Sequence, residues 1–296
     1  MKKLFSLLLT LMMLLSVTAG VAEEGITVTD STGRVTVLTE PADRVVALTA
    51  SDVEILYALG AGDTLVGRGE YCDYPAEVFE LPVVASGAET SVEQILSLAP
   101  DVVIMAKMAQ TVEQVNALEN AGVHVIVSDA QDIAGVYQVI EMIGAIVGRN
   151  DEAAALVSGM QTAFADIAAN TEDTGKTVYF EVSPLEWGLW TAGADTFMDE
   201  LAQMCGLTNA FADVSGWVGI SEEQVLARDP DYIVTITMYF GEGPTPVEEI
   251  MSRPAWQGLK AVQNGNIYNA DSNEISRPGP RLTDAAEKLY AFICGE

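Results

Sequence analysis

One segment of the chain occurs twice, and this repeat is the strongest constraint on the fold. Residues 91–101 read SVEQILSLAPD and residues 221–231 read SEEQVLARDPD, at a constant offset of 130 residues. In each copy, Ser and the Gln three positions later form the capping-box pattern that begins a helix, and Pro-Asp ends the helix before an apolar run. A repeat of this quality predicts two structurally related lobes.

Short β-branched runs alternate with amphipathic helical patterns along the chain. These runs lie at 45–49, 64–66, 102–105 and 123–127 in the first half, and at 178–182, 232–236 and 267–269 in the second. Strands separated by helices are typical of parallel sheets that helices cover on both faces. The predicted fold class is therefore α/β, with two Rossmann-like lobes.

A single helix is predicted between the lobes. Residues 151–170 are rich in alanine and contain no proline and one glycine, Gly159. At about 1.5 Å per residue, such a helix extends about 30 Å. We divide the chain into an N-terminal α/β lobe (23–148), one long rigid helix (149–172) and a C-terminal α/β lobe (173–296), with a ligand cleft between the lobes. One stiff connection predicts only a small rotation between open and closed states.

Residues 1–22 have the pattern of a secretory signal peptide. Two lysines precede the apolar run 4–17, which is too short to span a bilayer comfortably, and small residues follow. Cleavage is expected after Ala22, or alternatively after Ala19, and the competing interpretation is a short membrane anchor. The tripeptide Val-Thr-Ala resembles the one that precedes a lipid-modified cysteine, but Gly20 follows it. We expect an exported protein that is not lipid-anchored.

Charge and residue types exclude several functions. The chain has 14 Lys and Arg against 43 Asp and Glu, a net charge of -29, so a nucleic acid would be repelled. The one histidine, His124, lies in a strand pattern, which excludes His-rich metal sites. Because G-x-S-x-G, H-E-x-x-H, Walker and C-x-x-C patterns are also absent, we predict no catalytic residue and no metal ligand.

Three cysteines allow at most one disulfide. Cys205 and Cys294 both lie in helical patterns of the second half, and they form the one pair considered. The alternative is that these residues, like Cys72, are small buried apolar side chains.

Several segments together resemble the cobalamin and iron-chelate substrate-binding proteins of bacterial ABC importers. The resemblance implies export, two Rossmann-like lobes, a rigid helix and an interlobe cleft. It also implies delivery of a small-molecule metal chelate to an ABC permease dimer with its ATPase, and we expect a monomer. The segments that carry it are 45–49, 54–60, 66–67, 71–75, 91–105, 190–193, Trp217 with 221–236, and 254–268.

The resemblance also implies a set of ligand-binding residues. Tyr71, Trp190 and Trp217 are similar to cleft aromatics of the family, and all three lie in loop-like stretches next to Gly, Asp or Pro. Arg277 is similar to a polar residue that reaches the ligand, and Asn273 occupies a position that is often acidic in cobalamin binders. Two further candidates have an equal alternative outside the site, solvated for Lys107 and in the core for Tyr239. Trp256, by contrast, is periodic with apolar neighbours and is assigned to the core.

Two carboxylates of the repeat are candidates for docking. Glu93 and Glu223 occupy equivalent positions and resemble the family's two carboxylates that bind arginines of the permease. The alternative is that each only stabilises the N-terminus of its helix, where the helix dipole favours an anion.

The scarcity of basic residues narrows the ligand. A catecholate chelate needs several converging positive groups, so a neutral or weakly charged ligand is favoured: a hydroxamate siderophore, a corrinoid or haem. For haem, Tyr71 could serve as the axial phenolate. Gly87 and Ala106 stand where cobalamin binders tend to have tryptophans, which weakens the corrinoid assignment. No covalent cofactor is implied. The alternative function is an exported two-lobed α/β enzyme or a chelatase-like protein that acts on a metal chelate.

Overall fold

The first half of the chain forms a parallel sheet flanked by helices. The computed structural model describes residues 25–107 and 111–295. In chain order the elements of this half are β1 (Ile26–Thr29), β2 (Val35–Leu38), β3 (Val45–Ala47), α1 (Ala50–Ala58), β4 (Leu65–Gly69), β5 (Val83–Val84), α2 (Val92–Ser97), β6 (Val102–Ala106), α3 (Val112–Asn120), β7 (His124–Ser128) and α4 (Ile133–Ile146).

One helix, α5 (Asn150–Asn170), leads into the second half. The elements that follow are β8 (Lys176–Glu181), β9 (Trp190–Ala192), α6 (Phe197–Met204), β10 (Leu207–Asn209), β11 (Trp217–Gly219), α7 (Glu222–Arg228), β12 (Tyr232–Thr235), α8 (Pro246–Ser252), α9 (Lys260–Asn264), β13 (Ile267–Asn269), α10 (Ser272–Ile275) and α11 (Leu282–Cys294).

Each half is built around one parallel sheet, as the sequence predicts. The N-terminal sheet has the strand order β5-β4-β3-β6-β7, and the C-terminal sheet has the order β10-β8-β12-β13. The prediction of two α/β lobes is confirmed. Strand β10 and the antiparallel hairpins β1–β2 and β9–β11 were not predicted, because their short polar-rich sequences lack a clear period.

The repeat has the same local structure in both lobes. Ser91 and Ser221 cap α2 and α7 by accepting hydrogen bonds from the backbone N–H three residues on. Ala99 and Asp229, the residues before each proline, have positive φ angles of 46° and 45°. A residue before proline is excluded from the right-handed helical region, which explains this shared exit. Each unit then leads into a central strand, β6 or β12.

The lobes share one hydrophobic core that extends along α5. The buried side chains of α5 are spaced three or four residues apart, as on one face of a helix, and they belong to the same cluster as buried residues of both sheets. At 1.5 Å per residue, the helix is about 32 Å long. Trp256 is fully buried, so its assignment to the core is confirmed. The buried residues of α5 are Ala153, Val157, Met160, Phe164 and Ile167.

The three cysteines are free in this structure, and Cys72 and Cys205 are buried. Burial raises the pKa of each of these two thiols to about 12. The sulfur of Cys205 lies 3.8 Å from the carbonyl oxygen of Ala286, which precedes Cys294 by eight residues along α11. Eight residues of helix span about 12 Å. The structure therefore favours the apolar alternative for Cys205 over a disulfide.

The predicted signal peptide, residues 1–22, lies outside the described residues. In the described ranges, none of the helices combines the length and the apolar character that a membrane span requires.

Candidate ligand cleft

Exposed aromatic side chains lie beyond the carboxyl ends of strands in both lobes. Tyr71 follows β4 and is 74% exposed, while Trp187 follows β8 and Phe240 follows β12, at 77% and 86% exposed. In open α/β sheets, ligands bind at the carboxyl ends of the strands. Exposed large apolar groups that share one region of a surface mark an interaction site. These strand ends are therefore the candidate site.

The two lobes present these strand ends to each other. Asn273 and Arg277, which follow β13, donate hydrogen bonds to Asp73 Oδ2 at 3.2 Å and to the Tyr71 carbonyl oxygen at 3.4 Å. Tyr71 and Asp73 follow β4 in the N-terminal lobe. On another side, Gln131 follows β7 and contacts Trp217 of the C-terminal lobe. The strand ends of both sheets therefore border one cleft.

The first bridge across the cleft is ionic. Glu54, on α1, is buried, and its Oε1 accepts hydrogen bonds from Arg277 Nη1 at 2.8 Å and from Arg281 Nη2 at 2.6 Å. Its Oε2 accepts from Arg281 Nε at 2.9 Å. Arg277 Nη1 also lies 2.6 Å from Asp73 Oδ1. We call Glu54, Asp73, Asn273, Arg277 and Arg281 the charged contact.

The partners in the charged contact keep each other ionised. Burial acts to raise the pKa of Asp73, but the hydrogen bond from Arg277 outweighs it and holds this pKa below its ordinary value. Burial acts to lower the pKa of Arg277, while its hydrogen bonds to Asp73 and Glu54 raise it overall. Each of these two charges is stabilised by a charge of the opposite lobe.

The second bridge is mainly aromatic and amide. Trp217 Nε1 donates to Gln131 Oε1 at 3.2 Å, and the Trp217 ring lies 5.3 Å from that of Phe197. The Phe197 backbone N–H donates to the Gln131 carbonyl oxygen at 2.8 Å. Glu200 Oε2 accepts from the backbone N–H of Ile133 at 2.6 Å. We call these five residues the aromatic contact.

The predicted ligand-binding residues are found in three settings. Tyr71, Trp190 and Tyr239 are exposed beside the cleft. Lys107 is also exposed, and its Nζ lies 3.9 Å from Asp129 Oδ2. Trp217 is half-buried, whereas Asn273 and Arg277 are engaged in the charged contact. Ligand contact by all seven residues stays a prediction.

The expectation that Trp190 and Trp217 lie in loops is wrong. Both lie in the hairpin of β9 and β11, in which Trp190 pairs with Gly219 and Trp217 with Ala192. The glycine beside each tryptophan suggested a loop, but here Gly219 is a strand residue that contacts the indole of Trp190. A rigid hairpin positions both indoles more firmly than a loop does.

The sequence did not reveal the residues that bind the predicted ones. Glu54 lies inside an ordinary helical pattern, and its partners come 223 and 227 residues later. Arg281 also stacks on the ring of Tyr74, with 4.3 Å between the guanidinium carbon and the ring centroid. The only signal was the proximity of Arg281 to Arg277 in the sequence.

Asp52 is a second buried carboxylate on α1, and it has no cationic partner. Its side chain accepts hydrogen bonds from the hydroxyls of Thr49 and Ser128, the latter at 2.8 Å, while its Oδ1 has none. Burial raises the pKa of Asp52 to about 6, although the two hydroxyls act in the opposite direction. The fold therefore holds a carboxyl group here that titrates near neutral pH.

Among the described residues, no group of three or more His, Cys, Asp or Glu side chains could hold a metal ion.

The two docking candidates are both exposed, each in the first turn of its repeat helix. Glu223 forms hydrogen bonds with its own backbone N–H and with Ser221, and these lower its pKa. Glu222 is different, because its Oε1 accepts a hydrogen bond from the indole of the buried Trp256 at 2.7 Å. The position of Glu93 and Glu223 suits either docking or helix stabilisation.

Two α/β lobes, a stiff helix behind them and an aromatic cleft between their strand ends define a bilobal ligand-binding protein. The profile of the family described as "Periplasmic binding protein" matches residues 45–274. The chain belongs to this family, whose members are extracytoplasmic.

Individual relatives agree with this assignment. The chain is 36% identical to the uncharacterized ABC transporter substrate-binding lipoprotein YvrC of Bacillus subtilis, over 90% of this chain and 85% of that one. The solved periplasmic vitamin B12-binding protein BtuF of Vibrio cholerae is 27% identical, with a TM-score of 0.71 over 86% of this chain and 97% of that one. A Staphylococcus epidermidis structure, described as a possible iron-binding periplasmic solute-binding protein, is 28% identical with a TM-score of 0.72, over 86% and 99%.

Proposed function

We propose that this protein captures a bulky metal chelate in the interlobe cleft and delivers it to an ABC importer. The observation that carries the proposal is the pair of facing strand ends with exposed aromatic side chains, above all Tyr71, Trp187 and Phe240. Flat aromatic walls bury large ligand areas at a small entropic cost. The family and the substrate-binding relatives support the same function.

The ligand class is an iron chelate, either a siderophore or haem, or a corrinoid. A relative that binds vitamin B12 supports the corrinoid, while Gly87 and Ala106 supply no aromatic surface. Tyr71, Trp190, Trp217, Tyr239 and Lys107 would line the ligand, and Arg277 and Asn273 would approach it from the charged contact.

Titration of the purified protein with cobalamin, haem and several ferric siderophores tests this function. Native mass spectrometry and absorbance should detect one tight complex that releases its ligand chemically unchanged. Chemical turnover of the chelate would support the alternative of an exported enzyme or chelatase-like protein. If no chelate binds, the proposed function is wrong.

The second part of the proposal is that Glu93 and Glu223 dock on a permease dimer. Both are exposed at equivalent places in two related lobes, and rim charges act mainly on association rate and orientation. Glu93→Ala combined with Glu223→Ala should leave ligand affinity intact and impair transport into reconstituted vesicles, most strongly at low salt.

The matched control is Glu113→Ala, which removes an exposed first-turn carboxylate of α3, outside the repeat. Thermal melts run beside the transport assay separate docking from helix stabilisation. A double variant that transports normally but melts at a lower temperature would show that these carboxylates only stabilise their helices.

We also propose that the protein is exported as a monomer without a lipid anchor. The first cysteine of the chain is Cys72, and Gly20 occupies the position after the lipoprotein-like tripeptide. The relative YvrC is named a lipoprotein, so attachment needs a direct test. Radiolabelled palmitate should not be incorporated in cells that express the full chain, and incorporation would overturn this point.

A further inference from the structure

The C-terminal wall of the cleft contains a pocket with an unusual combination of groups. The pocket has a volume of about 450 Å³ and opens between the ends of β8 and β12. Its apolar lining includes Tyr239, Phe240 and Met238, and Phe240 is almost fully exposed. Its polar lining is acidic and consists of Glu181, Glu186, Glu242 and Glu249.

Only part of this negative charge is neutralised. Arg253 forms ion pairs with Glu181 at 2.6 Å and with Glu249 at 2.5 Å. Within the described residues, Glu186 and Glu242 have no ion-pair partner. The pocket therefore has an excess of carboxylate beside exposed aromatic faces.

The opposite wall does not supply the missing positive charge. Arg277 and Arg281 are already paired with Glu54 and Asp73. Lys107 lies next to Asp129. A ligand in the cleft therefore meets a negative potential, and the electron-rich faces of aromatic rings add to the attraction of a cation.

Resting on the function proposed above, we infer that the cleft selects a metal chelate with net positive charge. Its cationic group would lie against Tyr239 and Phe240, within reach of Glu186 and Glu242. Chelates with several carboxylate or catecholate charges, haem included, would be disfavoured because they would meet like charge. This assigns Glu186 and Glu242 a role in specificity.

The test uses ligand pairs that differ in charge and hardly in shape. One pair is the ferric complex of a linear trihydroxamate with a terminal amine and the same complex after N-acetylation. The other is aquacobalamin, a cation at mildly acidic pH, and neutral cyanocobalamin. In whichever class binds, the cationic member should bind roughly fivefold more tightly or better at low salt, the effect of one close charge pair in a water-like medium.

Two variants connect this preference to the pocket. Glu186→Gln combined with Glu242→Gln should abolish the preference and leave the affinity for the neutral member nearly unchanged. Glu141→Gln combined with Glu172→Gln, two exposed carboxylates outside the pocket, should keep it. Raising the salt concentration should reduce the preference of the wild-type protein.

The possible outcomes separate this inference from the proposed function. Equal affinity within each pair that binds, or a preference that survives in the pocket variant, overturns the charge selection and leaves chelate capture intact. If neither pair nor haem binds, the proposed function fails and the inference fails with it. Tighter binding of haem than of every cationic chelate also overturns the inference.

Discussion

The two bridges between the lobes differ in chemistry although they serve the same cleft. The charged contact joins Glu54 of one lobe to Arg277 and Arg281 of the other through a buried carboxylate. The aromatic contact joins Gln131 to Trp217 through one neutral hydrogen bond at 3.2 Å. The first must be made completely or not at all, since an unpaired buried charge is costly. The second can be broken at little cost.

This difference indicates which side of the cleft is held firmly. A neutral hydrogen bond contributes about 0.5–1.5 kcal/mol, whereas breaking a buried ion pair costs about 3–5 kcal/mol. We therefore expect the lobes to separate first at the aromatic contact, with the charged contact and α5 as the fixed side. Such an opening agrees with the small rotation that the single helix predicts.

The largest effect is expected from Glu54→Ala. This change leaves Arg277 and Arg281 partly buried without their shared acceptor, and it should lower the free energy of unfolding by about 3–5 kcal/mol. Urea unfolding measures the loss, and small-angle scattering should show a larger radius of gyration. Glu54→Gln, which keeps the shape and one acceptor, should lose less. Unchanged stability and size in the Ala variant would show that the charged contact does not hold the lobes.

Asp52→Asn tests a buried carboxylate that has no arginine. Its raised pKa means that the folded protein keeps a proton between pH 3.8 and about 6, while the unfolded chain is ionised. The contribution of Asp52 to stability therefore falls as pH rises through this window and levels off above it. Relative to the variant, the wild-type protein should lose about 3 kcal/mol, from 1.36 kcal/mol per pKa unit.

Urea unfolding at a series of pH values from 3.5 to about 7 measures this difference. Asp166→Asn, at an exposed aspartate of α5, is the control and should show no comparable slope. A difference between wild type and Asp52→Asn that does not depend on pH would contradict the assignment.

Trp217→Ala is expected to have an intermediate effect. Loss of the indole should weaken chelate binding by about 1–3 kcal/mol if the ring is an anchor in the cleft. Isothermal titration measures the affinity, and a melt reports the lost packing against Phe197. A lower melting temperature with unchanged affinity would mean that Trp217 serves only the fold.

Gln131→Ala should have the smallest effect. It removes the hydrogen bond to Trp217 but leaves the ring in place, so stability should fall by about 0.5–1.5 kcal/mol. If its loss of affinity equals that of Trp217→Ala, the indole acts through the aromatic contact and not through the ligand.

The fold could be read from the sequence because its signals are local. The repeat, the strand runs and the Ala-rich helix each lie within about twenty residues, and the two lobes follow from them. The charged contact could not be predicted, since Glu54 and Arg281 are joined only by the packing of one lobe on the other. The resemblance identified Arg277 as a residue that reaches the cleft, but not that Glu54 and Asp73 already bind it.

The positions of the four tryptophans have an optical consequence. All of them, at positions 187, 190, 217 and 256, belong to the C-terminal lobe. Emission excited selectively at indole therefore originates from one half of the molecule. Its buried component comes from Trp256 and its solvent-exposed component from Trp187. Time-resolved emission should separate these two populations, and only a coloured ligand near the cleft should shorten the lifetime of the exposed one preferentially. The N-terminal lobe, which has only tyrosine fluorescence, can unfold without direct loss of an indole signal.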